Sequence, residues 1–433
     1  MATDVRSGDV AKELTIVAAS SGATPSAIAI IRISGANAFG VAELLCGPLP
    51  PIREARVRAV RDPATGELLD RALLIRFAAP ATATGEDVVE LHCHGSRAVV
   101  AGIEAAVAAL PGCRLAEPGE FTRRALMNGR IDLTQAEALG ELLQAETVAQ
   151  RRQALRGTEG VLHQAIARWQ NVLVHQAALI EAALAFEDEE EVAGGEPFSR
   201  AAIDAVAAEM ATVLASPPAE RLRDGIRVVL AGPPNAGKST LLNALAGRDV
   251  AIVSPLAGTT RDRIEAPVQR GGVPFVLTDT AGLRDTTEAV EALGIARARE
   301  ALNSADIVVW LGDELPPVEA IWIEAKADCA DRGTSSRLKV SAVTTEGLES
   351  LWALLLEAAT RMLPQAGEQA LNARQRGLLT DACQAVVDIR GDRDLVLTAE
   401  RLRLALHRFD AVTGQAGVED VVDELFATFC LGK

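Results

Sequence analysis

Gly232-Pro233-Pro234-Asn235-Ala236-Gly237-Lys238-Ser239 fits the pattern G-x-x-x-x-G-K-[ST]. It follows an apolar, strand-like run at 226–231 and opens a helical run from Thr240 to Leu245. That context is what a phosphate-cradling loop requires. Its glycines let backbone N–H groups, those of Asn235, Ala236, Gly237 and Thr240 among them, turn toward a β-phosphate. The helix N-terminus adds positive potential. Lys238 can supply charge to the β and γ oxygens, and Ser239 a hydroxyl ligand to Mg2+.

The remaining motifs follow in order. Asp279-Thr280-Ala281-Gly282 ends a strand-like run, with a metal-side carboxylate and a glycine N–H that can meet a γ-phosphate. Gly258-Thr259-Thr260-Arg261-Asp262 lies between these two motifs, where a switch loop belongs, and Thr260 is the expected second protein ligand to Mg2+. Ala325-Lys326-Ala327-Asp328 stands where Asn-Lys-x-Asp is usual. Asp328 can still accept two hydrogen bonds from a guanine edge, which adenine cannot offer, and the stem of Lys326 can cover the base. The absent Asn predicts retained guanine specificity at reduced affinity. Ser341-Ala342 resembles the last guanine-side element, with Val343 in place of its usual Lys. This set reads as a GTPase. Leu283 occupies the position where Ras-like enzymes place a water-orienting Gln, so the water must be held otherwise. Arg261 and Arg284 lie near enough for a finger or for ordinary surface charge.

These loops need an α/β scaffold to hold them. Strand-like runs are read at 226–231, 274–279, 307–311, 320–324 and 338–340, with an edge strand at 264–269 joined by a turn at Arg270-Gly271-Gly272. Proline breaks at Ser216-Pro217-Pro218 and Leu363-Pro364 frame this region. The flanks at 133–186 and 370–429 are helical in period and must bury their apolar stripes together. The first ~120 residues carry β-like runs at 15–18, 27–33, 72–77 and 87–92, an α+β pattern. The expected division is 1–120, 121–218, 219–363 and 364–433: a multidomain α/β and α+β chain, with a discontinuous helical domain and an inserted Ras-like P-loop G domain.

Composition narrows the function classes. A net charge of −16 over 433 residues argues against a general nucleic-acid coat. The six cysteines show no zinc-ligand or C-x-x-C spacing and read as reduced thiols. No apolar run reaches transmembrane length and no export signal is read, so a cytoplasmic, non-membrane protein is expected.

The strings Gly-Pro-Pro-Asn-Ala-Gly-Lys-Ser, Gly-Thr-Thr-Arg-Asp and Asp-Thr-Ala-Gly-Leu-Arg closely resemble the MnmE (TrmE) family of tRNA-modification GTPases. So do Ile31-Arg32-Ile33-Ser34-Gly35, Gly85-Glu86-Asp87-Val88-Val89-Glu90-Leu91, Pro118-Gly119-Glu120-Phe121-Thr122-Arg123-Arg124-Ala125 and the terminal Phe429-Cys430-Leu431-Gly432-Lys433. The resemblance implies a homodimer that works with an FAD-dependent, MnmG-type partner as a heterotetramer. It implies addition of an aminomethyl or carboxymethylaminomethyl group at carbon 5 of the tRNA wobble uridine. The one-carbon unit would come from a methylene- or formyl-tetrahydrofolate bound by the N-terminal domain, which also dimerises. By the same resemblance, Arg32, Glu90, Arg130 and Lys433 belong to the folate pocket, Arg130 replacing a Lys. Cys430 serves the modification. Glu291 orients the water. Asn235, Ser254, Thr259 and the Leu256 carbonyl hold K+ in place of an arginine finger. The loop Ser20-Ser21-Gly22-Ala23-Thr24-Pro25-Ser26 departs from the family's Arg-Gly string. A rival reading is a GTP-switch scaffold in RNA or ribosome assembly. Such proteins carry an RNA-binding module after the G domain, and no K-homology Gly-x-x-Gly loop follows this one.

Overall fold

Alternating apolar residues at the start of the chain build an antiparallel sheet in a computed structural model. The structure describes residues 14–185, 198–247, 265–279, 302–329, 336–365, 368–389, 394–416, 425, 426, 429 and 432. It divides into two compact units, Met1–Gly140 with Thr413–Lys433, and Glu141–Val412.

In the first unit, β1 (Thr15–Ala19), β2 (Ser26–Ser34), β3 (Arg56–Arg61), β4 (Leu68–Phe77), β5 (Val88–Gly95) and β6 (Cys113–Leu115) form one sheet in the order β3-β4-β5-β2-β1-β6. Only the β1–β6 pair is parallel. The period of two sorts its faces. Val17, Ala29, Ile31, Ile33, Leu91 and Cys93 bury against α1 (Ala38–Cys46) and α2 (Arg97–Ala108). The opposite face presents Arg32, Glu90 and His92. There Ile16 and Ala18 pack with Ala116 and with Phe121 of α3 (Glu120–Met127). Phe426 and Phe429 pack on Leu133 and Ala136 of α4 (Leu133–Gln144), so the end of the chain returns to the first unit. Gly119, at φ +70°, allows this: a Cβ there would lie 2.7 Å from the Cβ of Phe426.

In the second unit, α5 (Val148–Thr158), α6 (Val161–Ala185), α7 (Arg200–Ala215) and α8 (Glu220–Arg223) precede a second sheet. Its strands are β7 (Ile226–Ala231), β8 (Glu265–Arg270), β9 (Val273–Asp279), β10 (Ile307–Trp310), β11 (Ile321–Ala325) and β12 (Leu338–Val340). Their order is β12-β11-β10-β7-β9-β8, all pairs parallel except the β8–β9 hairpin. Gly271 and Gly272 turn that hairpin at φ +58° and +79°. The helices α9 (Lys238–Ala246) and α10 (Leu348–Met362) share a core with Val228, Leu230, Phe275 and Ile323. A second core joins α6 and α7 to α11 (Ala373–Asp388) and α12 (Leu395–Thr413) around Trp169, Met210, Leu379 and Phe409. Helices separated by the whole G domain in sequence thus bury one another's apolar stripes. The run read as helical at 133–186 divides into α4, α5 and α6. Thr147 and Gln150 form a reciprocal capping box, and Gly160 sits at φ +75°.

Candidate functional site

The phosphate loop joins β7 to α9. Gly232, at φ +146°, lets the chain pass beside Leu311 and Gly312, where a Cβ would lie 3.3 Å from the Gly312 nitrogen. Asn235 at φ +61° and Gly237 at φ +96° bend the backbone back into the helix start. Lys238 is buried, and its Nζ donates to the carbonyls of Gly232 at 3.0 Å and Pro233 at 2.8 Å. The amine therefore spans the mouth of the loop. The Ser239 hydroxyl donates to the carboxylate of buried Asp279 at the end of β9. Two hard oxygen donors from separate elements thus meet, a set suited to Mg2+. Ala236 and Thr240 flank this turn, as the motif requires.

The guanine-side loop follows β11. Lys326 takes the left-handed conformation, φ +61°, and its Nζ donates to the Asn235 carbonyl at 2.7 Å. The Ala327 N–H donates to the Val340 carbonyl at 3.2 Å, holding the loop to β12. The hydroxyl of fully buried Ser341 donates to Asp328 Oδ1 at 2.5 Å. Its oxygen accepts the N–H groups of Val343 at 3.2 Å and Thr344 at 3.1 Å. The Ser341 hydroxyl, the Asp328 N–H, the Cys329 thiol and the Lys326 charge hold the Asp328 carboxyl below its ordinary range. It is an acceptor at neutral pH. Ala342 follows Ser341 directly, and Val343 is 74% exposed. The elements flanking the site, β7, β9, β11 and β12, were legible as strands. The Lys326–Asn235 and Ser341–Asp328 ties were not, because they join residues far apart in sequence.

On the open face of the first sheet, Arg32 donates from Nε at 3.1 Å and Nη2 at 2.8 Å to Glu90 Oε1, its register partner on β5. The guanidinium also lies 5.6 Å from the ring centre of Phe121. A half-buried ion pair beside an aromatic ring and the small Ala18 suits a planar, polar-edged heterocycle. Arg130 is exposed and donates to the Thr82 carbonyl at 3.2 Å, and no contact joins it to the Arg32–Glu90 pair among the described residues. Gly432 of the tail reaches the end of β1, where a Cβ on it would lie 2.0 Å from the Ala19 carbonyl oxygen. Ser254, Leu256, Thr259, Thr260, Thr280, Ala281, Gly282, Glu291, Cys430 and Lys433 lie outside the described residues.

Sequence reasoning missed a charged network beside this face. Arg124 is buried and pairs with Glu86 at 3.0 Å and Glu120 at 2.9 Å, and Arg114 closes on Glu120 at 2.7 Å. Ser34 adds its hydroxyl to Glu86 at 2.8 Å. Burial raises the Glu120 carboxyl, but Arg114, the Glu117 N–H and Arg124 outweigh it and hold the group below its usual range. Arg124 falls in the string Gly119-Glu120-Phe121-Thr122-Arg123-Arg124, so the i, i+4 spacing of Glu120 and Arg124 was a usable signal. His92 was missed as well, although it lies two residues from Glu90 and so on the same face. Burial pushes the Cys46 thiol up to about 12 and Cys93 to about 11, so neither is a thiolate at neutral pH.

Two family models match the chain: "GTP-binding protein TrmE N-terminus" over residues 15–130 and "MnmE helical domain" over residues 133–430. The chain belongs to the MnmE family. A protein of Rhizorhabdus wittichii described as tRNA modification GTPase MnmE is 53% identical over 97% of this chain and 96% of its own length. One of the same description from Erythrobacter litoralis is 49% identical over 97% and 100%. Among solved structures, the G domain of the T. maritima FeoB iron transporter is 27% identical over 31% of this chain and 98% of that one, with a TM-score of 0.24. The family models span both units, as the resemblance read from the motifs implies. Among the described residues no helix is long and apolar enough to cross a membrane.

Proposed function

We propose that this chain is a GTP hydrolase acting in tRNA wobble-uridine modification. The observation that carries the reading is the convergence of Lys238, Ser239 and Asp279 at one end of the β7–β9 sheet with Asp328, positioned by Ser341, at the guanine side. Family membership along the whole chain adds the tRNA context that the relatives' names give.

Each group has a role in nucleotide binding. Lys238 would exchange its two carbonyl partners for phosphate oxygens. Ser239, with Thr260 from the switch loop, would hold Mg2+, while Asp279 accepts from the hydroxyl or from metal-bound water. Bound Mg2+ neutralises charge developing on the transferred phosphoryl group. Asp328 accepts the guanine N1–H and exocyclic amine, and Ser341 fixes its rotamer. Thr280, Ala281 and Gly282 belong to the γ-phosphate side, and Glu291 is proposed to orient the attacking water that Leu283 cannot. Asn235, Ser254, Leu256 and Thr259 are proposed as K+ ligands.

The open sheet face is proposed as the tetrahydrofolate site, with Arg32, Glu90, Arg130 and Lys433 as its polar groups. Bound folate supplies the one-carbon unit. The Arg32–Glu90 pair and the Phe121 ring would hold and orient the pteridine, and Cys430 would serve the transfer. We further propose a cytoplasmic homodimer working with an FAD-dependent partner, and the division 1–120, 121–218, 219–363 and 364–433 for its functional parts. Nucleoside analysis of tRNA from a deletion strain tests the reading. Loss of the modified wobble uridine, restored by the wild-type gene, is expected. An unchanged nucleoside profile would favour the rival, a switch in RNA or ribosome assembly.

A further inference from the structure

Rows of side chains cross the open face of the first sheet. In one row Ala18 stands opposite Arg32, and Arg32 opposite Glu90. The neighbouring row runs through Ile30 to its register partner His92. Ser20 joins the same row just past the end of β1, its N–H donating to the Ile30 carbonyl at 2.7 Å. Side chains at i and i+2 share a face, so Ser20, Ile30 and His92 lie beside Ala18, Arg32 and Glu90.

Two polar atoms of this second row are buried without a hydrogen-bond partner among the described residues: Ser20 Oγ and His92 Nε2. Orphaned buried polar atoms are rare in folded proteins and call for an explanation. The nearest acidic oxygen to the imidazole is Glu90 Oε2, at 3.5 Å from Nε2. The other oxygen, Oε1, is occupied by Arg32. Glu90 Oε2, His92 Nε2 and Ser20 Oγ therefore offer an acceptor followed by two groups that can each donate or accept. Ile30 lies between the last two, and Phe121 stands over Arg32. The tail reaches the same edge, for Gly432 lies against Ala19 and Ser20.

We propose that Ser20 and His92 form a second polar row of the folate site, receiving the donor–acceptor edge of the pteridine ring that Glu90 begins to read. The inference rests on the folate reading above and names the part of the ligand this row takes. A pteridine fits because its amide and amine edge alternates donors and acceptors in one plane, while its faces bury against apolar side chains. The glutamate end of a folate is anionic and would meet the Glu90 carboxylate, whose Oε2 lies 3.5 Å from His92 Nε2. Placed here, the ring satisfies both orphaned atoms. The row also offers a reason for the serines at the start of the loop Ser20–Ser26, which departs from the usual family string.

Calorimetry on the full chain tests this with two probes, 5-formyltetrahydrofolate and 6-methyltetrahydropterin, which lacks the benzoylglutamate. His92→Leu is expected to weaken both by the same factor, roughly tenfold, the size of one net hydrogen bond. His92→Gln keeps a donor and an acceptor and should recover most of that loss. Ser20→Ala should show a smaller loss, again equal for the two probes. Thermal melting of each variant checks its fold, and the paired probes separate a contact to the ring from one to the benzoylglutamate tail. Wild-type affinity in both His92→Leu and Ser20→Ala would overturn the proposal and leave the folate reading standing. So would a loss confined to the folate, or folate binding by a wild type that ignores the pterin. A wild type that binds neither probe would remove the folate reading itself, and this row with it.

Discussion

Lys326 Nζ donates to the carbonyl of Asn235, 2.7 Å away, so the guanine loop is latched to the phosphate loop across 91 residues of sequence. Both residues sit in the left-handed region, at φ +61° each. The latch matters more here because Ala325 replaces the Asn that would add a polar tie. Lys326→Met should weaken GDP and GTP alike by roughly fivefold, the value of about 1 kcal/mol for an exposed hydrogen bond. Fluorescent-nucleotide titration measures it. Ala325→Asn in the same assay should tighten binding, and a variant that binds more weakly would show that the loop departs from the usual arrangement.

Asp328 has a carboxyl held below its ordinary range, first by the Ser341 hydroxyl. The anion is the form that would accept from guanine in the role proposed for Asp328. A lowered folded-state value means the acceptor persists as pH falls and is lost only once pH passes through that lowered value. Guanine-nucleotide affinity should therefore stay flat on mild acidification. In Ser341→Ala the carboxyl loses that hydrogen bond, so affinity should begin to fall at a higher pH. Superimposable pH profiles for the two proteins would refute the assignment. Asp328→Asn should shift preference from GTP toward xanthosine triphosphate, since the amide puts a donor where an acceptor is needed.

In the first unit, Arg124 is the centre of a buried network with Glu86 and Glu120. Removing Arg124 takes the cation from Glu86 while Glu120 keeps Arg114, and breaking a buried pair in this way costs roughly 3–5 kcal/mol. Arg124→Met should lower the unfolding free energy obtained from urea denaturation by that order. The Glu120 carboxyl is lowered in the fold, so its contribution is complete above the ordinary carboxylate range and disappears as pH falls through the folded value. The difference between wild type and Arg124→Met should accordingly shrink in acid. A constant difference across pH would mean that packing, not charge, sets the loss.

Strands β7 and β9 were legible because each is an apolar run ending in a motif with a known backbone task. The edge strand β8 was legible through its diglycine turn. Strand β3, Arg56–Arg61, was not: its alternation of Arg with Val and Ala is the mark of an exposed edge and resembles a polar loop. Strand β6 has only Cys113, Arg114 and Leu115, too short for any period to show. Arg32 and Glu90 were named by family resemblance only as pocket residues, and the cross-strand register that pairs them is invisible in one dimension. The return of Phe426 and Phe429 to Leu133 depends on contacts between chain ends that no local pattern encodes.

The role proposed for the tail can be tested apart from that of the phosphate loop. Gly432 belongs to the first unit, whereas the phosphate loop belongs to the second. Cys430→Ser should therefore leave GTP hydrolysis within about twofold of wild type, a change of under ~0.5 kcal/mol in the barrier, while abolishing wobble-uridine modification in complemented cells. Normal modification by this variant would make the thiol structural.

Hydrolysis should depend on the monovalent cation, with K+ far better than Na+. Leu283 cannot orient water, and Arg261 and Arg284 fit ordinary surface charge as well as a finger. Negative charge still develops toward the β–γ bridge in the transition state, and supplying a cation there is worth roughly 10³–10⁵ in rate when an arginine does it. Asn235 is exposed at the bend of the phosphate loop. Its backbone carbonyl is already taken by Lys326, which leaves the side-chain amide as the group able to face a cation. Ser254, Thr259 and the Leu256 carbonyl would complete a cage of neutral oxygens, which favours a large, weakly hydrated ion. Asn235→Lys tethers a charge near the same place, so its rate should become insensitive to the salt used. Glu291→Ala should depress turnover while nucleotide affinity stays near wild type. Steady-state GTP hydrolysis in matched potassium and sodium chloride decides the matter. Equal wild-type rates in the two salts would remove the cage, and with it the role proposed for the Asn235 side chain.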